Sequence, residues 1–187
     1  MPSARKLRIE TSFGEAARAY DRHALVQQMT AAHLADIAAR HRLTGGGRIL
    51  EIGCGTGLLT REIRARWPAA WLIATDLSPL MLDRAARRGA ADQLLVMDGE
   101  APVFDGRWFD LILSSLAVQW FDDLPIALAR LSGLLRPGGS LYFSTMGAES
   151  FASWHAAHAA CDVAPAQPAY STLAELAAML APFGDAF

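Results

Sequence analysis

A glycine-rich turn between a short apolar run and a helical pattern constrains the fold of this chain most strongly. The run Arg48-Ile49-Leu50 leads into Glu51-Ile52-Gly53-Cys54-Gly55-Thr56-Gly57, and a helical pattern follows. A second apolar run, Trp71-Leu72-Ile73-Ala74-Thr75, ends in Asp76. A glycine turn after one strand and an acid at the end of the next are how a doubly wound sheet binds a nucleoside. The glycines let the ligand approach the backbone, and the carboxylate accepts hydrogen bonds from both ribose hydroxyls.

The glycine spacing indicates which nucleoside the turn suits. A dinucleotide-binding turn has the pattern G-x-G-x-x-G, which places a pyrophosphate on a helix N-terminus. Here the pattern is G-x-G-x-G, with Glu51 two residues before Gly53. An acid there repels a pyrophosphate but suits a ligand that carries an ammonium and a sulfonium. The turn resembles motif I of the S-adenosylmethionine-dependent methyltransferases, and by itself it also fits another nucleotide or a tight turn without a ligand.

The next segments continue the same order of elements. Ser78 is placed to cap a helix that begins at Pro79. The run Leu94-Leu95-Val96-Met97 then ends in Asp98-Gly99-Glu100. Asp98 resembles the methyltransferase residue that accepts a hydrogen bond from the adenine amino group.

Two more strands complete the pattern. Phe109-Asp110-Leu111-Ile112-Leu113-Ser114 is followed by a helix and by the turn Leu135-Arg136-Pro137-Gly138-Gly139, which leads into a fifth strand at 140–145. An L-R/K-P-G-G turn before strand five is similar to that of the class I methyltransferases. The resemblance implies S-adenosylmethionine as the cofactor and S-adenosylhomocysteine as the product.

The alternation of strands with helices at 57–66, 79–89 and 123–135 predicts an α/β fold with a doubly wound, mainly parallel, Rossmann-like sheet. Before the sheet, residues 1–47 are expected to form a helical lead-in that Gly45-Gly46-Gly47 ends. Its helical spacing brings four side chains to one face: Val26, Met29, His33 and Ile37.

Past strand five, helices are expected near 148–162 and 171–181, and only 182–187 follow them. The methyltransferase fold normally finishes with a sixth strand and an antiparallel seventh. We therefore expect the last one or two strands to be missing and strand five to form an exposed edge. The expected organisation is one methyltransferase domain over 1–187, with a lead-in at 1–47, a cofactor-binding core at 48–146 and a shortened helical part at 147–187.

Composition agrees with one cytoplasmic domain. The chain has 187 residues, of which 52% are hydrophobic, enough to bury a substantial core. A net charge of −2 gives no general attraction to nucleic acid or to a membrane, and neither is expected as a partner. The two cysteines have no pairing pattern, which is typical of a reducing compartment. We also expect no signal peptide and no membrane-spanning run.

The carboxyl ends of parallel strands meet at one edge of a sheet, so the glycine turn and the strand-end acids should converge there. The cofactor-binding residues expected from this convergence and from the resemblance are Tyr20, Glu51, Gly53, Cys54, Gly55, Gly57, Asp76, Leu77, Met81, Asp98, Gly99, Glu100 and Ser114. Cys54 is interpreted as a small residue beside the cofactor, with a nucleophile as the alternative.

Two segments resemble a particular subfamily. Ser12-Phe13-Gly14-Glu15-Ala16-Ala17, continued by Tyr20-Asp21, His23-Ala24 and Gln27-Gln28, is similar to its S-F-x-x-A-A-x-x-Y-D/E-x-H-A-x-x-Q opening, and Ser115-Leu116-Ala117-Val118-Gln119-Trp120 is similar to its N-L-A-V-Q-W segment. The subfamily is the malonyl-acyl-carrier-protein O-methyltransferases of biotin synthesis. Membership would imply methylation of the free carboxylate of a malonyl thioester, with the acyl-carrier protein as partner. Ser115 stands where that family often has asparagine.

The implied reaction needs little acid–base chemistry. A carboxylate is already an anion at pH 7, so we expect positioning and water exclusion, worth about 7–11 kcal/mol, and no catalytic acid or base. Candidate substrate contacts are Ser115, Gln119 and Trp120, with Tyr20 also placed to cover the cofactor. Each of the last three also fits an ordinary role in packing or at a solvated surface.

The sequence also leaves open other roles for two side-chain clusters and two other functions. His155, His158 and Cys161 share a helix face, but a surface helix without a metal is expected. Arg84, Arg87 and Arg88 form either a docking patch for an acidic carrier protein or a solvated face. Rival functions are methylation of another small carboxylic acid, of the trans-aconitate type, and cofactor binding without catalysis. Oligomeric state is not indicated.

Overall fold

The structure is a computed structural model that describes residues 3–16, 20–43, 46–163 and 170–184. It divides into two compact units, residues 1–144 and residues 145–187, which are described separately. Two residues used in the sequence analysis lie outside the described residues: Gly45, from the glycines expected to end the lead-in, and Ala17, from the segment that resembles the subfamily opening.

The first unit is built on five parallel strands in the spatial order β3-β2-β1-β4-β5. The strands are β1 (Arg48–Ile52), β2 (Trp71–Asp76), β3 (Gln93–Val96), β4 (Phe109–Ser115) and β5 (Leu135–Ser144). The chain reverses its direction of travel across the sheet after β3, so β1 and β4 flank the switch point at which such sheets bind ligands. The predicted α/β, mainly parallel fold is confirmed.

Helices connect the strands and cover both faces of the sheet. They are α1 (Ala4–Ala16), α2 (Tyr20–His23), α3 (Leu25–Ala38), α4 (Leu58–Arg66), α5 (Pro79–Ala86) and α6 (Leu124–Gly133), with a 3₁₀ turn at Val118–Trp120. The period of two along each strand sends Ile49 and Leu111 into the core beside α3 and α4, whereas Leu50 and Ile112 pack towards α6. All four side chains are fully buried.

The apolar spacing that predicted α3 does not mark its buried side. Val26 and Met29 are 62% and 65% exposed, and the side that packs on the sheet consists of Ala31, Leu34, Ala35 and Ala38. Small alanines let α3 approach α4 closely, which large side chains on that face would prevent.

The L-R-P-G-G segment lies inside β5 rather than before it. Leu135 pairs with Phe109 and Ser140 with Leu111, so the residues between them bulge out of the ladder. Gly138 supplies the positive φ of 81° that the bulge requires. Among the described residues of this unit β5 pairs only with β4, and it forms an edge of the sheet.

The second unit contains α7 (Ala152–Ala160), α8 (Leu173–Leu180) and a 3₁₀ turn at Ala181–Phe183. A capping box between Thr172 and Glu175 begins α8. In α7 the His158 ring lies against Trp154, with ring centroids 4.7 Å apart. Within the described ranges of the chain, no group of three metal-ligating side chains comes together and no helix is long and apolar enough to cross a membrane.

Candidate active site

A cavity opens at the carboxyl ends of β1, β2 and β4, where the sequence placed the site. The N-terminal helices cover it, because α1 and α2 contribute several side chains to its wall. The lining residues that the sequence singled out are Tyr20, Glu51, Gly53, Cys54, Gly55, Asp76, Leu77, Met81, Asp98, Gly99, Ser115 and Trp120.

Four predicted residues do not line this cavity. Gly57 packs towards Ala85 and Arg88 of α5. Ser114 is buried and donates from Oγ to the Ile52 carbonyl. Gln119 and Glu100 lie behind the wall, where each holds neighbouring backbone.

The two central glycines of the turn have different surroundings. Gly53 has a φ of 67°, and a Cβ there would lie 2.4 Å from the Cβ of Ala117. Gly55 has a φ of 54°, and a Cβ there would meet nothing within 4 Å. Gly53 is therefore required for packing against the segment after β4, whereas Gly55 leaves open space on the cavity side.

Asp76 connects the glycine turn to the start of α5. Its Oδ2 accepts a hydrogen bond from the Gly55 amide at 2.8 Å, and its Oδ1 accepts one from the Ser78 amide at 2.8 Å. Burial raises the pKa of Asp76, while these backbone donors act in the opposite direction. The carboxylate thus shapes the turn as well as facing the cavity.

Glu51 is the most strongly perturbed acid of the site. It is 1% exposed and belongs to the cavity lining, and its buried Oε2 has no hydrogen-bond partner among the described residues. Burial, with the negative charge of Asp76 added to it, raises the pKa of the Glu51 carboxyl to about 8, although the nearby Thr60 acts in the opposite direction. A buried, unsatisfied carboxyl beside a cavity is typical of a site for a cationic group.

Ser78 has the predicted position but not the predicted bond. It is the N-cap residue of α5, with Pro79 next, yet its side chain makes no capping hydrogen bond. Its buried Oγ is without a partner in the part of the chain that the structure describes, and Ser78 lines the cavity. Ser78 is thus the second lining residue, after Glu51, with a buried polar atom that has no partner among the described residues.

Aromatic side chains from α1, α2 and the 3₁₀ turn form one wall. The Phe13 ring lies 6.1 Å from Tyr20 and 5.5 Å from Trp120, the latter pair edge to face. Burial and the charges of Asp76 and Asp21 raise the pKa of the Tyr20 hydroxyl, so it stays neutral.

Asp21 fixes this wall to the glycine turn. It accepts a hydrogen bond from the Thr56 hydroxyl at 2.6 Å and pairs with Arg88 at 2.6 Å. Of the three arginines considered as a docking patch, Arg88 therefore has an internal role.

The segment after β4 is strained. Leu116 has a φ of 51°, which is unusual for a residue with a branched, bulky side chain. Gln119 donates from Nε2 to the Leu116 carbonyl at 2.7 Å, and the Leu116 amide is held by Ser144. These bonds hold Ser115, Leu116 and Ala117 against the cavity.

Cys54 is buried, and its environment does not activate it. Burial, then the charges of Glu51 and Asp76, raise the pKa of its thiol, which keeps it protonated. The interpretation as a small residue in the turn fits these surroundings better than a nucleophile.

Lys6 is a charged residue of α1 that sequence analysis missed in the cavity lining together with its neighbours on the same helix. It lies in α1, is 7% exposed, and its Nζ is 2.8 Å from Oδ1 and 2.6 Å from Oδ2 of Asp98. It also pairs with Glu100. A signal was present: Lys6, Ile9, Glu10 and Phe13 recur at helical spacing, and all four line the cavity.

The residues present fit S-adenosylmethionine. Glu51 and Ser78 line a cavity with open space at Gly55, and each carries a buried polar atom that lacks a partner within the described part of the chain. Acids outnumber cations in its wall, which suits a ligand with an ammonium and a sulfonium.

Comparison with known proteins gives a family that is consistent with a site for S-adenosylmethionine. A family profile for a methyltransferase domain matches residues 50–143, half of the chain. The chain therefore belongs to the methyltransferase domain family. Within it, the sheet and site define a class I S-adenosylmethionine-dependent methyltransferase, and both the predicted class and its cofactor are confirmed.

Curated relatives are more specific. The chain is 48% identical to the biotin biosynthesis bifunctional protein BioCD of Bordetella avium, over 93% of this chain and 38% of that protein. It is 42% identical to the malonyl-[acyl-carrier protein] O-methyltransferase of Magnetococcus marinus, over 92% of this chain and 64% of that protein. The chain thus spans less than two thirds of the length of either relative.

Solved structures share the fold. A chain in the complex of the Trm112 methyltransferase activator with a methyltransferase of Haloferax volcanii matches 91% of this chain and 74% of its own length, with a TM-score of 0.71 and 23% identity. An S-adenosylmethionine-dependent methyltransferase of Thermotoga maritima covers 92% of this chain and 79% of its own length, with a TM-score of 0.66 and 20% identity.

Proposed function

We propose that this chain methylates the free carboxylate of a malonyl group carried on acyl-carrier protein, a step of biotin precursor synthesis. Support comes from the 42% identity to a relative of that name and from the two resembling segments at 12–28 and 115–120. The observation that carries the proposal is the covered acidic cavity between the glycine turn and the strained segment after β4.

We assign the cofactor contacts as follows. Asp76 would hold the ribose, Asp98 the adenine amino group, and Glu51 the ammonium of the methionine part, which would lie along Gly53 to Gly55. Bound there, S-adenosylmethionine would supply an electrophilic methyl group on a sulfonium. The acidic side chains would balance its two positive charges.

The protein's own part would be positioning and exclusion of water. Phe13, Tyr20 and Trp120 would shield the methyl-transfer site, and Tyr20 with Trp120 offers aromatic faces to a cation. No histidine lines the cavity among the described residues, and an ionised carboxylate needs no general base. Ser115 and Trp120 remain our candidates for substrate contact, and Gln119 would act by holding Leu116.

We further propose that residues 1–187 form a single methyltransferase domain that works in the cytoplasm. The two described cysteines are free, as a reducing compartment allows. A single domain should unfold in one transition with chemical denaturant. Two separate transitions, followed by fluorescence and by circular dichroism, would contradict this organisation.

The test is methyl transfer to matched acceptors. The protein is incubated with isotopically labelled S-adenosylmethionine and either malonyl-acyl-carrier protein, acetyl-acyl-carrier protein or free small acids. We expect label only in the malonyl-carrier protein, because the acetyl group has no free carboxylate. Label only in free acids would favour the alternative substrate. Tight cofactor binding without transfer to any acceptor would favour a non-catalytic binding protein.

A further inference from the structure

Lys6 is the only lysine in the chain, and it is buried beside two carboxylates. Its ammonium bridges Asp98, which lines the cavity, and Glu100, which lies behind the cavity wall; both acids follow the end of β3. Burial alone would lower the pKa of Lys6, but the hydrogen bonds and charges of the two acids outweigh it and raise the pKa. Lys6 therefore stays charged at a buried position, where an uncharged side chain is more usual.

The hydrogen bonds of Asp98 leave room for one further donor. Its Oδ1 accepts from Lys6 and from the Glu100 amide at 3.0 Å. Within the described part of the chain its Oδ2 accepts only from Lys6, and a carboxylate oxygen has two acceptor sites. Lys6 thus holds the carboxylate in one orientation without using its full capacity.

The same lysine lies on the helix that covers the cavity. Ile9, Glu10 and Phe13 of α1 contribute to the cavity wall. Ser3 donates to Asp122 at 2.7 Å, and Arg5 donates to the Trp120 and Phe121 carbonyls at 3.2 and 3.1 Å. Lys6 and Arg5 are therefore two separate anchors of α1, and only one of them touches Asp98.

We infer that Lys6 is a positioning residue for cofactor recognition: its ammonium fixes the Asp98 carboxylate to receive the adenine amino group while it holds α1 over the cavity. The inference rests on the proposed adenine contact of Asp98. Without Lys6, two neighbouring carboxylates would repel each other, and the Asp98 side chain would lose the partner that orients it. Discrimination for the 6-amino group of the base should then fall.

The experiment compares two ligands on three proteins. Titration calorimetry measures the Kd of S-adenosylhomocysteine and of S-inosylhomocysteine, in which an oxo group replaces the amino group. The proteins are the unchanged chain, Lys6→Met and Arg5→Met. Lys6→Met removes the charge but keeps the side-chain length, and Arg5→Met loosens the same helix without touching Asp98.

We expect the unchanged chain to prefer the adenine ligand about tenfold or more, in line with one charged hydrogen bond. Lys6→Met should abolish most of this preference by weakening adenine binding. Arg5→Met should weaken both ligands by the same factor and keep the ratio. An unchanged ratio in Lys6→Met would overturn the inference, as would tighter adenine binding, which would mean that Lys6 competes with the ligand for Asp98.

Two further measurements separate this inference from the proposed function. If the unchanged chain binds neither ligand, the proposed function fails. If Asp98→Ala, which removes the acceptor oxygens, keeps the ratio, the adenine contact of Asp98 is wrong, whatever Lys6 does. Circular dichroism confirms that each variant is folded. Should Lys6→Met not fold, the double variant Lys6→Met, Glu100→Gln replaces it, because it leaves no second unpaired carboxylate, and the same loss of preference is expected.

Discussion

The Asp76 carboxylate accepts a hydrogen bond from the Gly55 amide at 2.8 Å, although the two residues lie on different strand ends. Asp76 therefore has two tasks: it shapes the glycine turn and it faces the cavity. Ligand affinity should therefore depend both on the charge of Asp76 and on its capacity to accept hydrogen bonds. Two substitutions, one of which keeps an acceptor oxygen, separate these effects.

Asp76→Ala should weaken S-adenosylhomocysteine binding at least about tenfold, since charged hydrogen bonds contribute about 1.5–3 kcal/mol each. Asp76→Asn keeps one carbonyl oxygen for a backbone amide. Its affinity for S-adenosylhomocysteine should therefore lie between those of Asp76→Ala and the unchanged chain. Calorimetry measures the Kd values. An affinity unchanged in Asp76→Ala would mean that the proposed ribose contact is misplaced.

Gly55→Ala should block the ligand because its Cβ would enter open cavity space. Gly89→Ala is the matched control: Gly89 also has a positive φ, 61°, and open surroundings, but it does not line the cavity. Both changes should cost about 1–2 kcal/mol of folding stability from the left-handed backbone. Only Gly55→Ala should reduce cofactor affinity, by tenfold or more. Equal affinities for the two variants would contradict the assignment.

A side chain at Gly53 would clash with Ala117, because an added Cβ would lie 2.4 Å from the Ala117 Cβ. A Gly53 variant should therefore lose folding stability together with binding, and Gly55 is the cleaner test of ligand space.

The raised pKa of Glu51 predicts an unusual stability profile. Between pH 4.5 and about 8 the folded protein keeps a proton that the unfolded chain has released. Stability without ligand should therefore decrease as pH rises through this window, by at most about 1.4 kcal/mol per pH unit from this group. Comparison of urea denaturation curves with those of Glu51→Gln isolates the effect. Identical pH dependence in both proteins would rule it out.

Cofactor binding should depend on pH in the opposite sense. If Glu51 holds the ammonium, binding favours its ionised form and releases up to one proton near pH 7. Calorimetry in buffers of different ionisation enthalpy measures this release. Glu51→Gln should release none, and a release that persists in that variant would come from another group.

Gln119→Glu tests the bond that holds Leu116. A glutamate cannot donate to the Leu116 carbonyl, so the free energy of unfolding should fall by about 1–3 kcal/mol. Gln93→Glu makes the same change at an exposed position of β3 and should stay within about 0.5 kcal/mol. Urea denaturation measures both. A matching loss in the two variants would show that the charge, and not the bond, is responsible.

The sequence predicted the strand ends well because parallel strands bring their carboxyl ends to one edge. Glu51, Asp76 and Asp98 could be assigned to one cavity without knowledge of any distance. Their partners could not: Lys6 lies 92 residues from Asp98 along the chain, and no local pattern couples them.

The sequence-based predictions that differ from the structure do so because of tertiary contacts. Glu100 and Gln119 follow strand ends but turn away from the cavity to hold backbone amides and a carbonyl, a choice decided by tertiary packing. The apolar side of α3 is exposed because close helix packing selected alanines for the opposite side. The bulge in β5 depends on register with β4, which the L-R-P-G-G segment does not encode alone.

The bond from Ser3 to Asp122 and the neighbouring amide cap on Ser3 have a practical consequence for anyone preparing this protein. A purification tag fused ahead of Ser3 adds chain immediately next to the roof of the binding site. A tag removed by protease before titration leaves the Ser3 hydrogen bonds undisturbed and should give the tighter apparent affinity.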